Sequence, residues 1–297
     1  LKNLGLVYYR KGQYVQAESL NRRALAIREK TLAPNHPDLA RSIDGLAMVD
    51  AALGKYNEAE RLYRRGLAIE EKTLGPDQPD VAATLNNLAL VKVYQDKLTQ
   101  AEPLFRRALA IREKALGRDH PDVATTLNNL AALRRRQGQL AEAERLCRRA
   151  LALRERALGP KHVFVGWSLD NLAEIHHAQG RLDEAAKLAS RALDLVETGY
   201  GPDHPKVAAV LDHLASIYVD QDRLADADPI SQRAISIVEQ SLPAEHPRIA
   251  DLLEHRATLL KKSGRPDDAD RLEARAKQIR QKHAEQETPA KAKATAR

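Results

Sequence analysis

Hydrophobic and polar positions along residues 120–161 follow the spacing of two consecutive amphipathic helices. Pro121 and Asp122 open the first helix, because proline fits the first helical turn and the helix dipole favours an acidic side chain there. Apolar residues then recur every three or four positions until Gly138 interrupts them. A second apolar stripe follows and ends at Gly159, which precedes a proline. The stretch therefore predicts a helix–turn–helix unit.

The unit recurs with a period of 42 residues along almost the whole chain. A small residue of the second helix returns at Ala17, Ala59, Ala101, Ala143, Ala185, Ala227 and Ala269. Such self-similarity is typical of a solenoid, in which each two-helix unit buries its apolar face on the next. We predict an all-α array of about seven repeats over residues 1–287, with copies at 1–35, 36–77, 78–119, 120–161, 162–203, 204–245 and 246–287.

The motifs LNNLA, QG, AEAERL and RRALALRE within residues 127–155 resemble the tetratricopeptide repeat. The 42-residue period and the HPDVA junction at residues 120–124 are similar to the repeats of kinesin light chains and their bacterial relatives. The resemblance implies a right-handed α-solenoid whose first helices line a concave groove. Because the chain starts without methionine inside a first helix, we expect a fragment of a larger bacterial-type protein.

Composition narrows the function classes. The net charge is +7 and charged residues make up 30%, but Arg and Glu alternate along the helices, which predicts no nucleic-acid binding. No apolar run is long enough for a membrane span and no signal peptide is visible, so we expect no membrane association and a cytoplasmic location. Cys147 is the only cysteine and is expected to pack in the core. Residues 288–297 predict a disordered basic tail.

The sequence offers little for catalysis. It contains no phosphate-binding loop, no paired cysteines and no metal-binding motif, so we expect no enzyme activity, no cofactor and no metal site. Five histidines occupy the same junction position, namely His36, His120, His162, His204 and His246. Their recurrence predicts packing or capping of the first helices, since a solenoid spreads such positions along its length.

The resemblance places candidate peptide contacts on the groove. The residues on first helices are Asn86, Asn87, Leu90, Tyr94, Asn128, Asn129, Arg135, Arg136, Trp167, Asn171 and His177, and those near the ends of second helices are Arg112 and Arg154. Asparagine can bond a peptide backbone through its donor and its acceptor, and arginine can bind carboxylates in a bidentate manner. Two alternatives stay open: the asparagines bond the neighbouring helix instead, and Trp167 fills a gap between repeats.

These observations predict a non-enzymatic module that binds extended, acidic peptide segments of partner proteins in its groove. The alternative is the sensor or scaffold array of a larger signalling protein, with a nucleotide-binding or protease-like domain upstream. A nucleic-acid-binding solenoid is disfavoured by the acidic groove positions of the last two repeats, which are Asp212, Asp220, Asp251 and Glu254.

Overall fold

The computed structural model of the protein describes residues 1–288, and these residues form fourteen helices and no strand. The helices are α1 (Lys2–Arg10), α2 (Tyr14–Thr31), α3 (Pro37–Ala52), α4 (Tyr56–Leu74), α5 (Pro79–Tyr94), α6 (Leu98–Leu116), α7 (Pro121–Arg136), α8 (Leu140–Leu158), α9 (Val163–Ala178), α10 (Leu182–Tyr200), α11 (Pro205–Asp220), α12 (Leu224–Ser241), α13 (Pro247–Lys262) and α14 (Pro266–Glu287). The predicted all-α array is confirmed. Most of the predicted basic tail, residues 289–297, lies outside the described residues.

The junction histidines cap the first helices, as their recurrence predicted. In His120 the ring Nδ1 accepts a hydrogen bond from the backbone N–H of Asp122 at 3.2 Å, and the other four make the same bond. Each bond satisfies one of the backbone donors that a helix start leaves free. Gln78 stands at this position in the third repeat and makes no such bond.

The recurring alanines lie where the helices pack together. All seven are completely inaccessible to solvent, which fits their predicted role of letting helices approach closely. The one departure from the leucine series of the first helices, Arg256, is also accommodated. Its guanidinium donates to the carbonyl of Asp228 at 2.9 Å and to the hydroxyl of Ser231 at 2.6 Å. Hydrogen bonds from Arg256 to repeat six thus take the place of the apolar contact that a leucine makes in the other repeats.

The array coils until its sixth and seventh repeats lie against its first and second. The turn at Gly12 contacts Pro205, and the turn at Gly54 contacts Pro247. The ring Nε2 of His246 lies 3.2 Å from the carbonyl oxygen of Ala52. Because its Nδ1 accepts the helix-capping bond, Nε2 carries the proton and donates to this carbonyl. The junction histidine therefore serves two contacts at once.

We call the contact of repeats six and seven with repeats one and two the seam, and further residues take part in it. Leu242 packs against the buried side chains of Tyr14 and Leu53. Asn57 makes two hydrogen bonds with Glu287, one from its backbone N–H to the carboxylate at 2.7 Å and one from its amide to the backbone carbonyl at 2.6 Å. The seam joins one turn of the coil to the next, so the concave groove becomes a channel inside the coil.

Substituting Gly54 by alanine tests the seam. A Cβ on Gly54 would lie 3.0 Å from Pro247 Cδ, whereas a Cβ on Gly138 would meet nothing within 4 Å. Both glycines have φ of +76°, so both alanine variants incur the same backbone strain of about 1–2 kcal/mol. We expect Gly54→Ala to be less stable than Gly138→Ala by roughly 1–3 kcal/mol in urea unfolding. Equal losses in the two variants would contradict the seam.

Candidate functional site

Three tyrosines from different repeats lie near one another in the coil. Tyr9 in repeat one lies near Tyr94 of repeat three and Tyr200 of repeat five, and burial together with these two phenols raises the pKa of Tyr9 to about 12. The side chain of Tyr94 is 57% exposed and stacks on Tyr56, with the ring centroids 5.4 Å apart. Desolvation by the neighbouring protein raises the pKa of Tyr94, and the charge of Arg248 opposes this rise. Tyr94 is therefore an exposed aromatic surface inside the channel.

The predicted asparagines form a ladder between neighbouring repeats. Each rung joins a first-helix side chain to the residue 43 positions earlier: Asn129 Nδ2 to Asn86 Oδ1 at 3.0 Å, Asn171 Nδ2 to the Asn128 carbonyl at 3.4 Å, His213 Nδ1 to Asp170 Oδ1 at 3.0 Å, and His255 Nδ1 to Asp212 Oδ1 at 2.9 Å. The structure thus contains the contacts of the alternative interpretation, in which these positions bond the neighbouring helix.

The two asparagines of each LNNLA motif differ in exposure. Asn86 and Asn128 are buried, and Asn128 Nδ2 donates to Ser168 Oγ at 2.9 Å. Asn87 and Asn129 are only partly buried, as is Asn171 in the next repeat. A ligand in the channel can therefore meet the second member of each pair, while the first member lies within the interface between repeats.

Arg112 and Arg154 lie inside the interfaces between repeats. Arg112 donates to Thr126 Oγ1 at 2.7 Å, and Arg154 donates to Ser168 Oγ at 3.0 Å. Each also donates to a backbone carbonyl at the start of the next first helix. Burial lowers the pKa of Arg154 to about 10. These arginines connect consecutive repeats, and neither presents its guanidinium to the open channel.

The remaining charged candidates are paired across repeats. Arg135 Nη2 lies 2.7 Å from Glu174 Oε1, and its side chain is 27% exposed. Arg136 donates to the carbonyl of Val93 and pairs with a carboxylate at Asp96. His177 Nε2 lies 2.8 Å from Asp220 Oδ2. A ligand carboxylate at these positions has to share or displace an acidic partner.

The two apolar candidates pack between repeats. Leu90 is half-buried against the core of the third and fourth repeats. Trp167 meets Tyr200 edge-on at 6.1 Å, and Lys206 Nζ lies 5.5 Å from the centre of its ring. These contacts match the alternative in which Trp167 fills a gap. Tyr94 consequently offers the most accessible aromatic ring among the predicted contacts.

Asp170, Glu174 and His213 form a cluster that the sequence pattern did not predict. His213 bonds Asp170, and its Nε2 lies 3.4 Å from Glu174 Oε1. One ligand atom from each residue lies within 4.8 Å of the other two, a spacing that could hold a metal ion. However, Arg135 already pairs with Glu174 and both ring nitrogens face carboxylates, so the cluster balances its own charge. The sequence does contain a signal for such pairs, because an acidic residue is followed 43 positions later by histidine at Asp170 and His213 and again at Asp212 and His255.

His213 predicts a pH dependence of stability. Burial lowers its pKa, but Asp170 and Glu174 outweigh burial and the nearby Arg248, and the pKa rises to about 9. The stabilising contribution is therefore complete below an unfolded pKa of about 6.5 and is lost as the pH rises through about 9. We expect His213→Asn to lower the free energy of unfolding by roughly 1–3 kcal/mol at neutral pH. The variant should also lose less stability than the wild type as the pH rises from about 6.5 to about 9, as measured by urea unfolding. An unchanged decline in the variant would contradict this assignment.

Comparison with known proteins agrees with this architecture. The model of the tetratricopeptide repeat family matches residues 1–72, 42–114, 80–146, 122–198, 170–240 and 206–282. The chain belongs to the tetratricopeptide repeat family. A comparison with curated protein sequences finds no match. No helix within residues 1–288 is long and apolar enough to cross a membrane.

Several solved structures are similar to the chain. The putative kinesin light chain repeats of Podosopora anserina are 28% identical, with 66% of this chain and 93% of that chain covered and a TM-score of 0.52. BtubC (BKLC) from P. vanneervenii is 21% identical, with 77% and 89% covered and a TM-score of 0.55. A Rap protein complexed with Competence and Sporulation Factor is 14% identical, with 96% and 98% covered and a TM-score of 0.63. The last two share the fold, and the repeats of this chain are kinesin light chain-like.

Proposed function

We propose that this chain is a non-enzymatic interaction module that binds an extended, acidic segment of a partner protein in the channel, over repeats three to five. The observation that carries the proposal is Tyr94, an aromatic ring on a first helix that is more than half exposed and stacks on Tyr56. Aromatic side chains in concave, water-excluding surroundings are common anchors for binding. A protein of the same fold is described in complex with a named factor, which supports a binding role for this coil.

Polar groups around Tyr94 suit an extended chain. The partly buried Asn87, Asn129 and Asn171 offer amide groups at one-repeat intervals, and an extended backbone has unpaired donors and acceptors to meet them. Arg135 supplies an accessible guanidinium for a ligand carboxylate that competes with Glu174. The segment reaches these groups through the ends of the channel or through an opened seam.

Binding of fluorescent acidic peptides tests the proposal by anisotropy at low and high salt. We expect Tyr94→Ala to weaken binding at least about tenfold, because it removes an anchor ring. Arg135→Gln should weaken binding mainly at low salt, since salt screens exposed ion pairs.

Arg148→Gln is the matched control, because Arg148 is exposed on a second helix and pairs there with Glu144. We expect it to bind like the wild type. If Tyr94→Ala and Arg135→Gln also bind like the wild type, the ligand does not lie in this part of the channel.

A further inference from the structure

A cavity of about 160 Å³ lies between α11 and α13, where repeat six meets repeat seven. Three buried apolar side chains form part of its wall, namely Ala215, Val219 and Leu259. An engineered protein cavity of about 150 Å³ binds benzene, so this space is large enough for one apolar side chain. The contacts proposed over repeats three to five do not use this cavity.

A small side chain makes room for the cavity. Ser231 of α12 lines it and stands where repeats two and three have the fully buried rings of Tyr63 and Phe105. The next first helix carries Arg256 in place of leucine, and this guanidinium donates to Ser231 Oγ at 2.6 Å. The Ser231 hydroxyl in turn donates to the backbone carbonyl of Asp228 at 2.9 Å. Repeats six and seven therefore meet through smaller and more polar groups than the earlier repeats, and space remains between them.

The cavity opens on the concave face of the array. Asp220 and His255 border it, and about half of each side chain is exposed. These two residues hold the positions that Tyr94 and Asn129 hold three repeats earlier. Because equivalent positions of a repeat array lie on the same face, a ligand in the channel can reach the mouth of the cavity.

Arg248 connects the cavity with the Tyr94 ring. Its Nη2 lies 3.1 Å from Oδ2 of Asp212, a residue that lines the cavity. Desolvation raises the pKa of Tyr94 and the positive charge of Arg248 opposes the rise, so the guanidinium lies near this phenol as well. The cavity and the Tyr94 ring therefore adjoin the same side chain, and one extended segment can contact both.

The carboxylates around the cavity already have partners. In addition to its contact with the guanidinium, Asp212 Oδ1 lies 2.9 Å from the ring Nδ1 of His255. Asp220 pairs with His177 at 2.8 Å and with Lys262 at 3.3 Å. A charged occupant would have to break these pairs, whereas an apolar occupant leaves them intact and displaces water from the apolar wall.

We propose that the cavity between α11 and α13 binds an aliphatic side chain of leucine size from the bound segment. The inference rests on the proposed function and gives the segment a second anchor, apart from the one at the Tyr94 ring. Burial of an aliphatic side chain removes apolar area from water, and the paired polar groups at the mouth surround it. The segment therefore carries leucine or isoleucine where it passes repeats six and seven.

Capped amino acids serve as probes, because they present one side chain without a peptide. In saturation-transfer NMR with the full chain, we expect saturable binding of N-acetyl-leucinamide. N-acetyl-serinamide should bind at least about tenfold more weakly, since it offers little apolar area to bury. N-acetyl-lysinamide is a separate arm, because the carboxylates of Asp212 and Asp220 could instead attract a cation.

Three variants complete the test. Ser216→Leu fills the cavity from its partly buried wall with the residue type of Leu90, three repeats earlier, and should weaken binding of N-acetyl-leucinamide at least about tenfold. Thr258→Leu fills it from an exposed position on α13 and should have the same effect. Ala132→Leu is the matched control, because Ala132 holds the position of Ser216 in repeat four, and it should bind like the wild type. Thermal melting followed by circular dichroism checks that each variant is folded.

Three results would overturn the inference. The first is no saturable binding of N-acetyl-leucinamide by the wild type, and the second is binding of N-acetyl-lysinamide in its place. The third is equal binding of N-acetyl-leucinamide by the wild type and by the folded variants Ser216→Leu and Thr258→Leu. None of these results depends on peptide binding or on Tyr94, so this test and that of the proposed function fail separately.

Discussion

A two-helix repeat cannot bury its own apolar face, and the rest of this structure follows from that constraint. Every repeat has to be covered by the next, which is why the seven alanines of the second helices are fully inaccessible. The same dependence appears in polar contacts. Buried arginines such as Arg154 and ladder residues such as Asn129 bond across the interface rather than within their own repeat. The interfaces between repeats therefore contribute to stability, and a change at one of them affects two repeats.

The coiling of the array decides what kind of site it can offer. Because repeats six and seven lie against repeats one and two, the concave face is enclosed. Tyr94 of repeat three illustrates the consequence, since its ring is exposed to solvent yet close to Arg248 of the last repeat. A ligand in such a channel is desolvated more than in an open groove, which strengthens each ion pair it forms. The same enclosure requires the ligand to thread or the seam to open.

The sequence predicted the fold because the 42-residue period repeats one pattern along the chain, and local errors average out. It predicted less of the site. Asn86 and Asn129 lie on the expected face, but a ligand and the neighbouring repeat can use the same face, and periodicity does not distinguish them. The proposed contacts of Asn129 and Arg135 with a ligand remain predictions. The seam was not predicted, since it depends on rotation accumulated over five repeats between Gly12 and Pro205.

Cross-linking across the seam tests the closed coil most directly. In a Cys147→Ala background, which removes the only native cysteine, we would join Asn57→Cys to Glu287→Cys with a short bismaleimide. The hydrogen bonds between these residues predict efficient intramolecular linkage in the monomer. Ala141→Cys with Glu287→Cys is the control, because Ala141 holds the same place as Asn57 two repeats later. Linkage of the Asn57 pair no greater than that of the control would contradict a closed coil and the channel built on it.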